Sequence, residues 1–350
     1  MQAQVINPVK GARSVSDLSN PIKLIRVADF NPDDYPDPGF FWEGVLPFGT
    51  INLLAGPTGV GKTSFALQLS SWGLFGNGGS DFAKLDGVFY ADLETQPPEL
   101  ILLNSAIDMY RPDNFYIAHI KAFDPKLPAD VRFLSYTEGL IKQLKEYFTQ
   151  NPEGKTLVVI DNLQTLLSGL ELEKMHVLSK FRSELQPFVS NKCCILIINH
   201  TKKMSNLCFG ENEIFGSSYL SNIATTILGI NTVGGDLVGI WQIKNRYRKK
   251  SSVPYLLKHT STEYRADFEF VPVPEEARQL HTERILQIFF AKDLKEKGTA
   301  WSSISKIVGI SRHTIENSAK LIGIDFPKEE FKGKHKVKNG ENQEQLIENQ

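Results

Sequence analysis

The stretch Thr50-Ile-Asn-Leu-Leu-Ala-Gly-Pro-Thr-Gly-Val-Gly-Lys-Thr-Ser64 constrains this chain more than any other. An apolar run breaks into a glycine-rich turn, and a helical pattern follows at 63–72. Positions 56–63 fit G-x-x-x-x-G-K-[ST] at every fixed place, and Gly59 adds a third residue free to take positive φ. A turn of this kind between a strand and a helix aims backbone N–H groups inward around an anion, and the helix N-terminus adds its dipole. Gly56, Pro57, Thr58, Gly59, Val60, Gly61, Lys62, Thr63 and Ser64 are therefore the candidate phosphate cradle of a nucleotide site. In it Lys62 reaches the β- and γ-phosphates and the Thr63 hydroxyl holds Mg²⁺.

The surrounding pattern is that of an α/β domain. Apolar runs at 51–55, 87–91, 115–120, 157–160, 193–198, 224–230 and 238–243 alternate with helical periodicity, which predicts a mostly parallel twisted sheet flanked by helices. Their continuous Val/Ile/Leu character suits strands covered on both faces. Leu178, Phe181, Leu185 and Phe188 recur at helical spacing and should face the sheet. The domain is expected over 41–275, after an extended, proline-rich arm at 1–40. Phe40, Phe41 and Trp42 at the junction are expected to pack on the domain edge, with stacking on a base as the alternative.

Residues 279–326 read as a small helical module. A helix at 282–297 precedes a second helix, a Gly309 turn, an N-capping Ser311 and a third helix whose Ile315 and Leu321 should face inward. This resembles a helix-turn-helix, with Arg312, His313 and Asn317 on the face that would meet a DNA groove; a protein-docking unit is the alternative. The tail at 327–350, lysine-rich and then Asn/Gln/Glu-rich, has the composition of a disordered segment.

Charge and cysteine usage bound the setting. The formal net charge is −1, so nucleic-acid binding would depend on local basic surface. Such a surface exists: 237–262 holds no acid and contains Trp-Gln-Ile-Lys244-Asn-Arg246-Tyr-Arg-Lys-Lys250. The three cysteines lack C-x-x-C spacing, which suits a reducing cytosol. With no basic-apolar leader and no apolar run of membrane length, the expectation is a cytoplasmic protein without a membrane partner.

Two further strand ends carry carboxylates. Leu157-Val-Val-Ile-Asp161 has the Walker B pattern, an apolar strand placing Asp161 beside the phosphate loop to support Mg²⁺. Tyr90-Ala-Asp-Leu-Glu94 ends the strand after the phosphate-loop helix. With Asn199-His-Thr-Lys202 and Lys244-Asn-Arg246 in this order, the stretch from about 41 to 257 resembles the RecA-like hexameric ATPases, closest to the RepA-type and DnaB-type replicative helicases. The resemblance implies ATP with Mg²⁺, Glu94 as the base that orients water (Asp92 being its near competitor), and His200 as a γ-phosphate sensor. It further implies a DNA-holding loop over 201–218, and Lys244 and Arg246 as a finger reaching the neighbouring subunit's site. A solvated basic hairpin or DNA-backbone patch is the alternative for that pair.

The function expected on these grounds is a Mg²⁺-dependent ATPase assembled as a homo-oligomer, a hexameric ring or a filament, on single-stranded DNA. It would unwind DNA for a plasmid, phage or other mobile element. A DNA-bound regulatory switch that recruits partners without unwinding is the second reading. The third is a monomeric phosphotransferase, for which the chain offers no acceptor motif.

Overall fold

The computed structural model describes residues 37–94, 99, 112–119, 126, 128–166, 175–202, 207–215, 217–261 and 266–327. The arm at 1–36, the tail beyond 327, and Lys203 and Gly216 of the segment after His200 lie outside them.

The chain opens with the short antiparallel pair β1 (Phe40–Trp42) and β2 (Leu46–Pro47). β3 (Thr50–Gly56) then runs into α1 (Lys62–Phe75). β4 (Gly87–Asp92), β5 (Phe115–His119), α2 (Ala129–Gln150) and β6 (Thr156–Asp161) follow. Next come α3 (Leu163–Leu166), α4 (Met175–Leu185), β7 (Cys193–His200) and α5 (Ser217–Ile223). β8 (Thr226–Gly234), β9 (Leu237–Asn245), β10 (Tyr255–Ser261) and β11 (Ala266–Val271) complete a nine-stranded sheet of order β11-β10-β9-β8-β3-β7-β6-β4-β5. From β8 to β5 all neighbours are parallel; from β8 to β11 they are antiparallel.

Alternation along the central strands sorts side chains to two faces. Leu53, Ala55, Val158, Ile160, Ile195 and Ile197 join one buried layer, where Leu178, Phe181, Leu185 and Phe188 cover them as their spacing predicts. Leu54, Leu157, Val159, Cys194, Leu196 and Ile198 join the other, beneath α1. Each fully buried Leu or Ile contributes about 1.5–3 kcal/mol, so the double layer is the main stabilising element of the domain. α1 is covered on its outer side as well. Trp42, 1% exposed, packs against Phe65, Phe82, Tyr255 and Phe270, with ring centroids 4.7–6.2 Å apart. Phe41 and Trp42 are thus core residues and are not accessible to a base.

Two expectations need correction. β5 is not covered on both faces: it is the edge strand, and Tyr116 and Ile117 are 37% and 43% exposed. In the C-terminal helices α6 (Thr282–Glu296), α7 (Trp301–Val308) and α8 (Arg312–Leu321), Gly309 takes φ +78° and Ser311 caps α8 by accepting from Thr314 N–H at 3.2 Å. Ile315 is buried as expected, but Leu321 is 54% exposed and Ile322 is fully buried in its place. The inward stripe is Ile315, Ser318, Ala319 and Ile322, at i, i+3, i+4 and i+7; Leu321, at i+6, falls on the opposite face. Arg312, His313 and Asn317 are exposed. α6 is built into the sheet domain, its Ile285, Leu286, Ile288 and Phe289 sharing the layer that contains Leu53 and Val158.

Candidate active site

The parallel strands deliver their C-terminal ends to one side of the sheet. There β3 releases the phosphate loop, and β7, β6 and β4 end in His200, Asp161 and Asp92. Gly59 and Gly61 take φ +81° and +87°, conformations that favour glycine. Gly56 is required by space: a Cβ there would lie 2.4 Å from the Ile230 carbonyl oxygen of β8. The glycines seen in the motif therefore serve the turn and the close strand packing as well as phosphate approach.

Lys62 is 5% exposed and folds back over the loop, donating to the carbonyl oxygens of Pro57 at 2.7 Å and Gly56 at 3.1 Å. Burial lowers its pKa to about 8, against the pull of Asp161 and Glu94. Asp161 is 2% exposed and accepts from the Tyr90 hydroxyl at 2.7 Å and from Thr63. Burial pushes its carboxyl up to about 6 despite those two bonds, with Glu94 and Asp92 adding to the rise. The buried carboxylate is thus incompletely compensated for its burial, and it sits beside a threonine hydroxyl. That hard-oxygen pair would suit Mg²⁺, and the loop with its lysine would suit the phosphates of a nucleotide.

Glu94 follows β4, its backbone N–H bonded to Asp92 Oδ1 at 3.3 Å and its Oε2 accepting from Asn162 Nδ2. Asn162 Nδ2 also lies 3.1 Å from His200 Nε2, and His200 Nε2 is 4.0 Å from Glu94 Oε2. The other face of the imidazole meets Lys62 Nζ at 3.2 Å and Thr58 Oγ1 at 3.4 Å, both from Nδ1. Burial and the Lys62 charge lower the His200 pKa to about 4, so the ring is neutral at physiological pH. Asp92, the near competitor for the base, points elsewhere: it is 1% exposed with His119 Nδ1 3.4 Å away.

Lys62, Thr63, Asp161, Glu94 and His200 therefore converge. Lys244 and Arg246 do not join them. β9 runs antiparallel to β8, so its end returns toward the start of β3: Lys244 pairs with Ile227, Ile227 with Leu53, and Arg246 N–H bonds Thr225 O. Thr225 N–H in turn bonds Ile51 O, five residues before Gly56, roughly 16 Å back along the strand. Lys244 Nζ donates to the Ser221 carbonyl and Arg246 Nη1 to that of Asn222 at 3.0 Å, at the C-terminal turn of α5. Partial burial and the nearby Arg246 charge lower the Lys244 pKa.

Two residues join the site that motif reading passes over. Tyr90 looks in sequence like one more strand aromatic, and the only signal was its register opposite the Walker B strand. Asn162 registers in sequence chiefly as the acid that is missing after Asp161, although an amide there is a hydrogen-bond donor among acceptors.

A glycine loop with its lysine, a buried strand-end acid beside the loop threonine and a glutamate on the adjoining strand end define a P-loop nucleotide site on an α/β domain. The chain belongs to the AAA-domain family, whose model matches residues 21–206, just over half of its 350 residues. Over 133 residues, 36% of this chain, it is 30% identical to DNA repair protein RAD51 homolog 2 of Arabidopsis thaliana. The chain spans 33% of that relative's length. A solved structure described as a DnaB-like replicative helicase and its interactions with primase aligns with a TM-score of 0.49 at 14% identity, covering 67% of this chain and 65% of the other. Among the described residues, no helix is long and apolar enough to cross a membrane.

Proposed function

We propose that this chain is a Mg²⁺-dependent ATPase that assembles as a ring, in the RepA-type manner a hexamer, on single-stranded DNA and unwinds duplex, in the cytoplasm, for a plasmid, phage or other mobile element. In this reading Lys62 neutralises the β/γ-phosphates, Thr63 and Asp161 hold Mg²⁺, Glu94 orients water and His200 senses the γ-phosphate. Lys244 and Arg246 stabilise the transition state in the next subunit's site. The observation that carries the reading is the split between the two groups: the acids and Lys62 gather at one end of the sheet, and the Lys244/Arg246 pair sits toward the other. A finger so placed serves catalysis only across an interface. The motif order shared with replicative helicases and the DNA repair role of the plant relative support DNA as the track.

The test is complementation across interfaces. Arg246→Ala should bind ATP with near-normal affinity yet turn over at least about 10²-fold more slowly. Mixing it with Glu94→Gln protein should restore activity at interfaces that pair an intact base with an intact finger. Normal hydrolysis by Arg246→Ala alone sinks the reading.

The second reading, a regulatory switch on duplex DNA, is favoured by the exposed Arg312, His313, Asn317 and Lys320 of α8. A forked duplex separates the two: a switch hydrolyses ATP and leaves it intact.

A further inference from the structure

We infer that Asn162 is a positioning residue that ties Glu94 to His200, and that the tie is completed only when nucleotide draws Lys62 away from His200. This deepens the reading of Glu94 as base and His200 as sensor, and rests on it.

The orientation of the Asn162 side chain is set from behind. Its Oδ1 accepts from Thr165 N–H at 2.8 Å, which turns Nδ2 toward Glu94 Oε2 and His200 Nε2. The residue is 1% exposed, so water does not substitute for these partners. His200 then lies between two donors, Lys62 Nζ at 3.2 Å from Nδ1 and Asn162 Nδ2 at 3.1 Å from Nε2. A neutral imidazole has one acceptor nitrogen and one N–H. It satisfies Lys62 or Asn162, never both, and the tautomer records which.

With Lys62 on the loop carbonyls and facing Nδ1, the Nε2–H tautomer is favoured and Asn162 bonds Glu94 alone. A γ-phosphate recruits the ammonium and places an acceptor near Nδ1. The ring then carries its proton on Nδ1, and Nε2 accepts from Asn162. Both Asn162 N–H groups are committed, one to the base and one to the sensor, and Glu94 keeps Oε1 for water. Hydrolysis reverses the exchange.

The test uses Asn162→Asp, which keeps the acceptor for Thr165 N–H and the side-chain shape but offers His200 and Glu94 no donor. Imidazole ¹⁵N shifts of His200 are recorded on the full chain without nucleotide, with Mg·ADP and with a non-hydrolysable Mg·ATP analogue. The wild type should show Nε2–H when empty and with ADP, and Nδ1–H with the analogue. Asn162→Asp should remain Nε2–H throughout, with kcat down at least about tenfold and KM changed less than about threefold. Asn162→Ala with Asn162→Asp separates the Thr165 bond from the donor role, since the Asp variant retains that bond and must still lose turnover. An unchanged wild-type tautomer, or wild-type kcat in Asn162→Asp, overturns the inference. Normal hydrolysis by Glu94→Gln would instead remove the underlying reading, whatever the tautomer does.

Discussion

Replacing Asp161 with Asn should stabilise the nucleotide-free protein. The carboxyl is 2% exposed and its pKa rises from an ordinary 3.8 to about 6, because burial disfavours the charge more than Tyr90 and Thr63 compensate. A rise of that size costs the ionised native state about 3 kcal/mol at pH 7.5, at ~1.4 kcal/mol per tenfold. Between pH 3.8 and 6 the native state holds a proton that the unfolded chain releases. The contribution is fully present below the unfolded value and is lost as pH rises through the folded one. Asn removes the charge and still offers Tyr90 an acceptor; weaker, neutral hydrogen bonds return about 1 kcal/mol. The net gain at pH 7.5 is about 2 kcal/mol, and the charge penalty behind it falls to about half by pH 5. Urea unfolding in EDTA at both pH values measures it, while Mg²⁺-dependent turnover should fall in the same variant. An Asn variant no more stable than wild type at pH 7.5, or a gain independent of pH, refutes the picture of an uncompensated buried carboxylate.

Lys62→Ala should lower ATP affinity at least about 10²-fold in equilibrium dialysis, since it removes the positive charge closest to the loop; unchanged affinity would remove the cradle assignment. Ile322→Ala should cost about 2–4 kcal/mol in chemical unfolding, and Leu321→Ala less than about 0.5 kcal/mol, as their burial dictates. The reverse ranking would restore the phase expected from sequence.

The legible parts of this fold are those whose signal is local. Seven strands, β3 to β9, follow from continuous apolar runs, and the phosphate loop from its glycines. β10 and β11 escape because they form an antiparallel edge hairpin carrying Lys258, His259 and Glu269, without a long apolar run. The exposure of β5 escapes because edge position depends on sheet order, which no single run encodes. Leu321 and Ile322 are adjacent aliphatics; only the phase set by Ile315 separates them, and a short helix carries little phase information. At the site, Lys62, Thr63, Asp161, Glu94 and His200 are readable because each ends or follows a strand in a known order. Tyr90 and Asn162 are not, since their roles arise from cross-strand register, Asp92 opposite Asp161, which brings β4 and β6 side by side.

The inward face of α6 makes the C-terminal helices a poor cassette. Leu286 lies so near β9 that a Cβ on Gly239 would approach its Cδ2 to 2.7 Å, and Asp293 presses as closely on the β8–β9 turn at Gly234. Cutting the chain before α6 to obtain a smaller domain would strip the cover from β8 and β9, the strands that carry Lys244 and lead to Arg246. A truncated protein that lost turnover would report a loosened strand pair, and the proposed DNA contact of α8 is better tested by substitutions on its exposed face.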